Sequence, residues 1–230
     1  MVQSTEVEYP AVVLFDVDGC LISTGGAGAR SWRHAFERLY GIPADIGQFS
    51  EAGMTDPQVG QLTFSQVIGR EPTDREMARL LGAYLNRLEY EISQSVGYRV
   101  MPGVESLLPE LIDASVLIGI VSGALEAATY IKLSRGDLNQ YFTFGGYGSD
   151  SRDRAELTRV AIRRAGEICG HPMDPSSVLV VGDTPRDVEA AHAAGAVAIG
   201  VATGRYTMDD LRAAGADHVL PTLESPLPSH

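Results

Sequence analysis

From residue 100 onward, short apolar runs rich in valine and isoleucine alternate with segments whose apolar residues recur at helical spacing. The runs are Val116 to Val121, Tyr141 to Phe144, Val178 to Val181 and Ala196 to Val201, and a run of the same kind, Val12 to Phe15, opens the chain. Between them, Leu125 to Ser134, Arg154 to Cys169 and Pro185 to Ala194 carry the helical pattern; Leu157, Ala161, Ala165 and Ile168 share one face. Strands apolar on both faces and separated by helices predict an α/β fold with a parallel sheet covered on both sides.

Residues 25–96 break this pattern. No buried-strand run occurs there, and two strongly amphipathic helices do. Trp32, Ala35, Phe36, Leu39 and Tyr40 lie on one face of the first; Met77, Leu80, Leu81, Tyr84, Leu85, Leu88 and Ile92 share a face of the second. Thr73 followed by Glu76 predicts a capping box at the start of the second. The expectation is an α/β core formed by 1–24 and 97–230, interrupted by an all-helical insertion. Gly25, Gly26 and Gly97 at its ends are read as loop residues with the freedom to act as hinges. The tail from Pro221 to His230, with its three prolines, is expected to trail over the surface.

Charge narrows the function. Thirty acidic residues against 18 basic ones leave a formal charge of −12, which excludes a nucleic-acid or anionic-membrane binder built on a cationic face. No apolar run approaches the roughly 20 residues of a membrane span. Met1 to Pro10 is polar and lacks an export signal, so a cytoplasmic location is expected. Cys20 and Cys169 are too few for a disulfide framework and are read as reduced. The 18 basic residues are 17 arginines and one lysine, Lys132, so any chemistry that needs a lysine must use that one.

In a parallel sheet, ligands bind beyond the carboxyl ends of the strands. Asp16 and Asp18 follow the first strand, Ser122 and Gly123 the second, Arg152 and Arg154 the third after a longer loop, and Gly182-Asp183-Thr184-Pro185-Arg186-Asp187 the fourth. Carboxylates gathered in one crevice repel each other unless a cation joins them, and oxygen ligands favour Mg2+. Arginine and free backbone amides suit a phosphate. The composition therefore points to magnesium-dependent phosphoryl transfer, with Asp16 placed to attack phosphorus and Asp18 to exchange a proton with the leaving oxygen and then with water.

Asp16-Val17-Asp18-Gly19, Ser122, a basic residue before a helix, and Gly182-Asp183 with Asp187 resemble the four motifs of the haloacid dehalogenase-like hydrolase superfamily, in order and each after a strand. The helical insertion resembles its C1 cap, and Gly53-Met54-Thr55-Asp56-Pro57 is similar to the cap loop of its phosphoglycolate phosphatase-like branch. The resemblance spans about Val12 to Leu220. It implies a Rossmann-like core, with Asp16 as nucleophile and Mg2+ ligand, Asp18 as acid and base with its carbonyl on the metal, and Asp183 as a further ligand. Asp187 is a nearby metal or outer carboxylate, and Ser122 and Gly123 hold the phosphoryl group. Cap residues Thr55 and Asp56 are the candidates for substrate contact.

The superfamily's third motif is usually a lysine. Lys132 lies inside the helix after Ser122, ahead of the third strand, and is out of place for that role; Arg154 is the preferred substitute and Arg152 the alternative. Cys20 stands where the family usually has threonine, and Ala124 where close relatives often have asparagine.

Other readings compete. Asp-Gly and Gly-Asp pairs alone mark simple turns, and only their joint placement after strands argues for a site. Thr184-Pro185 reads as a helix N-cap, a role compatible with a metal nearby. Gly25-Gly26-Ala27-Gly28 lacks the last glycine of a dinucleotide fingerprint, that position being Ser31, and no serine-hydrolase elbow or P-loop occurs. The five histidines are scattered. The expected function is a magnesium-dependent phosphatase acting on a small phosphorylated metabolite, as a monomer or homodimer; the alternatives are a beta-phosphoglucomutase-like phosphomutase and a catalytically weak binding protein.

Overall fold

The computed structural model describes residues 11–228, so the expectation for Met1 to Pro10 lies outside the described residues. The elements run β1 (Val12–Phe15), β2 (Ile22–Thr24), α1 (Ala27–Tyr40), α2 (Asp56–Ile68), α3 (Asp74–Gln94), β3 (Tyr98–Val100), α4 (Val104–Asp113), β4 (Leu117–Ser122), α5 (Glu126–Ser134), β5 (Gly145–Tyr147), α6 (Arg154–Cys169), β6 (Val178–Gly182), α7 (Pro185–Ala193), β7 (Val197–Val201), α8 (Met208–Ala213) and β8 (His218–Leu220). Six strands form one parallel sheet in the order β5-β4-β1-β6-β7-β8. Among the described residues, no helix is long and apolar enough to cross a membrane.

The unbroken apolar run of β1 follows from its central place. Its side chains alternate across the sheet: Val13 and Phe15 join a core that includes Leu108 and Leu111 of α4, while Val12 and Leu14 pack with Leu157 and Ala161 of α6 and Val188 of α7. All four are fully buried. The pairing β4-β1-β6 is the point from which the chain winds both ways, so residues after β1, β4 and β6 meet at one edge.

Two expectations need correction. The third strand is Gly145–Tyr147, not Tyr141–Phe144; Asn139–Tyr141 is a 3₁₀ turn, and Phe142 and Phe144 fill opposite sides of the sheet. Glycine is required there because α6 presses on the strand: a Cβ at Gly146 would lie 1.9 Å from the Leu157 carbonyl oxygen. The tail does not simply trail, because Leu223 and Leu227 are 2% and 4% exposed and belong to the core beneath α4.

The insertion contains three helices. In its core, Trp32 of α1 stacks on Tyr84 of α3 with ring centroids 4.4 Å apart, beside Phe36, Phe64, Leu80 and Leu88. The capping box of Thr73 and Glu76 starts α3. Helix α2 has little apolar periodicity, and its buried side includes Asp56, Gly60 and Thr63, which hid it from a reading by hydrophobic spacing. Antiparallel β2 and β3 form the neck, and Ala124 and Ala128 of the core contribute to the cap's apolar cluster.

Candidate active site

Asp16 and Asp18 leave the end of β1, where the Asp16 amide donates to the Val181 carbonyl at 2.8 Å. Asp183 follows β6, and Asp187 sits one turn into α7. The latter doubles as a helix cap: one of its oxygens accepts from the amide and hydroxyl of Thr184, at 3.0 and 2.7 Å. Oxygens of Asp16, Asp183 and Asp187 lie within 4.8 Å of one another, and all three residues are buried.

Arg154, the first residue of α6, enters this cluster. Its guanidinium donates to Asp16 Oδ1 at 3.0 Å and also pairs with Asp187 Oδ1. Arg152, two residues earlier, bonds instead to Gln61 of α2 on the exposed rim. The structure brings Arg154, and not Arg152, to the nucleophile candidate.

Burial and the neighbouring carboxylate of Asp187 push Asp16 up to about 7, despite the opposing pull of Arg154. Burial, reinforced by Asp16 and Asp187, pushes Asp183 up to about 9. Asp183 Oδ1 is buried with no hydrogen-bond partner. One arginine does not balance three buried carboxylates, and a buried carboxylate oxygen without a partner is costly. Together they fit a divalent cation held by oxygen.

Ser122 closes β4, its hydroxyl accepting from the Ala124 amide at 3.2 Å. Gly123 lies under the cap loop: a Cβ there would sit 2.8 Å from the Met54 oxygen and 2.9 Å from Arg154 Nη1. The backbone amide of Asp56 donates to the Gly123 carbonyl at 2.8 Å, and the Asp56 carboxylate accepts from the Leu125 amide at 2.9 Å. Cap and core are joined directly over the phosphate-binding candidate. Burial raises Asp56 above the usual carboxylate range, against the pull of Lys132.

Thr55 is fully buried, and its hydroxyl accepts from the Gln58 amide in the capping box of α2. Ala52, Gly53 and Met54 line the cavity, beside Asp56.

Although Lys132 lies ahead of the third strand, out of place for the third motif, its side chain reaches back from α5 to the site. Its Nζ lies 2.5 Å from Asp18 Oδ2, and the side chain is only 7% exposed. Burial would lower its pKa, but Asp18, Tyr84 and Asp56 outweigh this and hold the ammonium charged. Spacing gave a usable signal: Lys132 stands four residues after Ala128 and three after Thr129, both buried, hence on the inward face of α5.

The loop after β7, which carries none of the motif residues, also joins the site. Thr203 donates to the Gly19 carbonyl at 2.6 Å. A Cβ at Gly204 would lie 1.7 Å from Asp183 Oδ2. Arg205 lies at the cavity's edge.

These residues enclose a cavity of about 290 Å³. A larger groove of about 730 Å³ beside α6, lined by Ile162, Met173 and Pro175, contains none of these acids, and chemistry favours the smaller one.

Known proteins are similar to this chain in sequence and fold. A phosphoglycolate phosphatase from Synechococcus elongatus is 28% identical over 91% of this chain and 92% of its own length. A hydrolase from Pseudomonas syringae superposes with a TM-score of 0.71 at 24% identity, over 94% of each chain. A predicted phosphoglycolate phosphatase from Haemophilus somnus superposes with a TM-score of 0.72 at 17% identity, over 94% of this chain and 95% of that one. The family model described as haloacid dehalogenase-like hydrolase matches residues 13–201, and the chain belongs to that family.

Proposed function

We infer that the protein is a phosphatase that hydrolyses a small phosphate monoester through a phosphoenzyme on Asp16, with Mg2+ as its cation. Family membership and relatives named as phosphatases support the reaction class. The observation that carries the mechanism is the arrangement around Asp16: one oxygen on Arg154, Asp183 and Asp187 within ligand range, and Asp18 directed elsewhere.

Asp16 and Asp183 would hold the cation, with the Asp18 carbonyl alongside, and Asp187 would serve mainly as the outer partner of Arg154 and Thr184. When bound, the cation offsets the negative charge gathered between the carboxylates and the phosphoryl oxygens. Arg154 adds a positive charge on the nucleophile's side, while Ser122 and Gly123 orient the phosphoryl group. An Asp16 oxygen forms a bond to phosphorus as the ester P–O bond breaks, and the departing oxygen takes a proton from Asp18. In the second half, water attacks the phosphoryl group, Asp18 removes its proton, and the Asp16–phosphorus bond breaks to release phosphate. The cap loop excludes bulk water during both halves.

The absence of the usual third-motif lysine is the ground for the alternative of a catalytically weak protein. The contact of Arg154 with Asp16 supplies a cation at that point and weighs against this reading. Phosphate release, rather than transfer to a sugar phosphate, separates hydrolysis from the mutase alternative.

Asp16→Asn should reduce metal-dependent phosphate release from an aryl phosphate by more than roughly a thousandfold without loss of fold. Near-normal turnover in that variant sinks the assignment of the nucleophile.

A further inference from the structure

The chain's single lysine is buried inside the cavity, and no role given to the four motifs uses it. Lys132 lies 2.5 Å from the Asp18 carboxylate, whose side chain is 43% exposed and lines the cavity. A buried ammonium is costly without a close counter-ion, and Asp18 is the one carboxylate with which Lys132 makes an ion pair among the described residues. The Asp56 carboxylate nearby is already engaged by the Leu125 amide and Tyr84. The cations are thus divided: Arg154 serves Asp16 and Asp187, and Lys132 serves Asp18.

This division has a geometric result. Asp18 stands two residues after Asp16, yet its carboxylate is not among the three that converge within 4.8 Å. Lys132 draws it the other way, toward α5 and the cap-derived Asp56. A leaving group must occupy the side of the phosphoryl group opposite the nucleophile, and the insertion's Ala52, Gly53, Met54 and Asp56 line the same cavity as Asp16 and Asp18.

We propose that Lys132 is a positioning residue that holds the Asp18 carboxylate on the leaving-group side of the cavity, away from the carboxylate cluster. The proposal rests on the reading of Asp18 as the proton carrier. Because Asp56 belongs to the cap and Lys132 to the core, the aim of Asp18 is set where the two halves touch. Lys132 needs no contact with substrate for this task.

Leaving-group dependence tests the idea, since a leaving oxygen that departs without a proton does not need Asp18 in place. kcat/KM is measured for phenyl, 4-nitrophenyl and 2,4-dinitrophenyl phosphates with wild type, Asp18→Asn, Lys132→Met, Lys132→Arg and the double variant D18N/K132M. Asp18→Asn should lose on the order of 10²-fold on phenyl phosphate and far less on the dinitrophenyl ester. Lys132→Met should show the same tilt, at about tenfold or more between the two esters. Lys132→Arg should recover part of the loss, and the double variant should be no steeper than Asp18→Asn alone.

A structural role would lower all three esters by one factor. That outcome for Lys132→Met, or no change at all, overturns the proposal when Asp18→Asn still shows its tilt. If Asp18→Asn shows none, the reading of Asp18 falls first and the proposal with it. Should Lys132→Met fail to fold, Lys132→Gln decides by the same criterion; failure of both to fold assigns the ammonium to stability and also overturns the proposal.

Discussion

At the scale of the residue, the site depends on how two cations are shared among the carboxylates that need them. Arg154 meets both acids through Nη2 while its Nη1 reaches the Gly53 carbonyl at 3.4 Å, a span suited to a guanidinium and not to a point charge. Arg154→Lys should therefore fold but lose roughly 10- to 100-fold in kcat, and Arg154→Met about 10²- to 10³-fold, as for removal of one preorganised donor. Arg152→Ala should stay within about twofold of wild type, because Arg152 bonds to Gln61 on the rim. Steady-state kinetics on one aryl phosphate checks all three; equal losses at Arg152 and Arg154 would show that the cation on Asp16 is not the decisive one. The choice between these arginines lay beyond sequence reading, since both stand before the same helix. Their separation depends on which side of the α6 N-terminus each leaves. Lys132 was legible in principle by helical phase, but its long side chain reaches past its own helix, and phase does not reveal where such a reach ends.

At the scale of the element, the neck between the insertion and the core is a close backbone crossing. Gly25 has φ of +59°, and a Cβ on it would lie 2.4 Å from the Gly97 carbonyl carbon. The two linkers cross backbone to backbone, and the Ser95 hydroxyl ties them by donating to the Thr24 carbonyl at 2.7 Å. Gly25→Ala should cost about 1–2 kcal/mol for the left-handed backbone and about 1–3 kcal/mol more for the clash. Thermal and urea unfolding measure the loss, and a change below about 0.5 kcal/mol would show that the crossing is loose. Sequence reading marked both glycines as ends of an insertion without revealing that they touch, which depends on a pairing across some seventy residues. The elements it recovered best, β1, β6 and α6, carry strong apolar patterns. Those it missed or shifted are α2, whose buried side includes polar residues, β5, which is glycine where α6 presses on it, and the tail, whose anchors Leu223 and Leu227 stand among prolines.

At the scale of the whole molecule, a chain of charge −12 must attract and hold an anionic ester, and its cavity is itself lined with acids. A bound divalent cation would reconcile these facts, and stability should report it. Asp16 and Asp183 have folded values of about 7 and about 9, against an ordinary 3.8 in the unfolded chain. Between these limits the folded state binds protons that the unfolded state has lost, so protons favour folding and metal-free stability falls as pH rises. Carboxyls held below the ordinary range, such as Glu76, Asp174, Asp210 and Asp217, act in the opposite direction but at lower pH, and above about pH 5 their contribution is complete. In chelator, Tm should therefore decline from pH 5 to pH 9. Saturating Mg2+ should raise it, by about 2.7 kcal/mol of stability at 100 times Kd, and should flatten the decline because ionised carboxylates are then the favoured form. Asp183→Asn supplies the control: it removes one of the repelling charges, so the metal-free protein should become more stable at pH 8 while losing most of its response to Mg2+. A metal-free Tm that stays level or rises between pH 5 and pH 9 would mean that these carboxylates are not held together under strain, and that the cluster needs no cation.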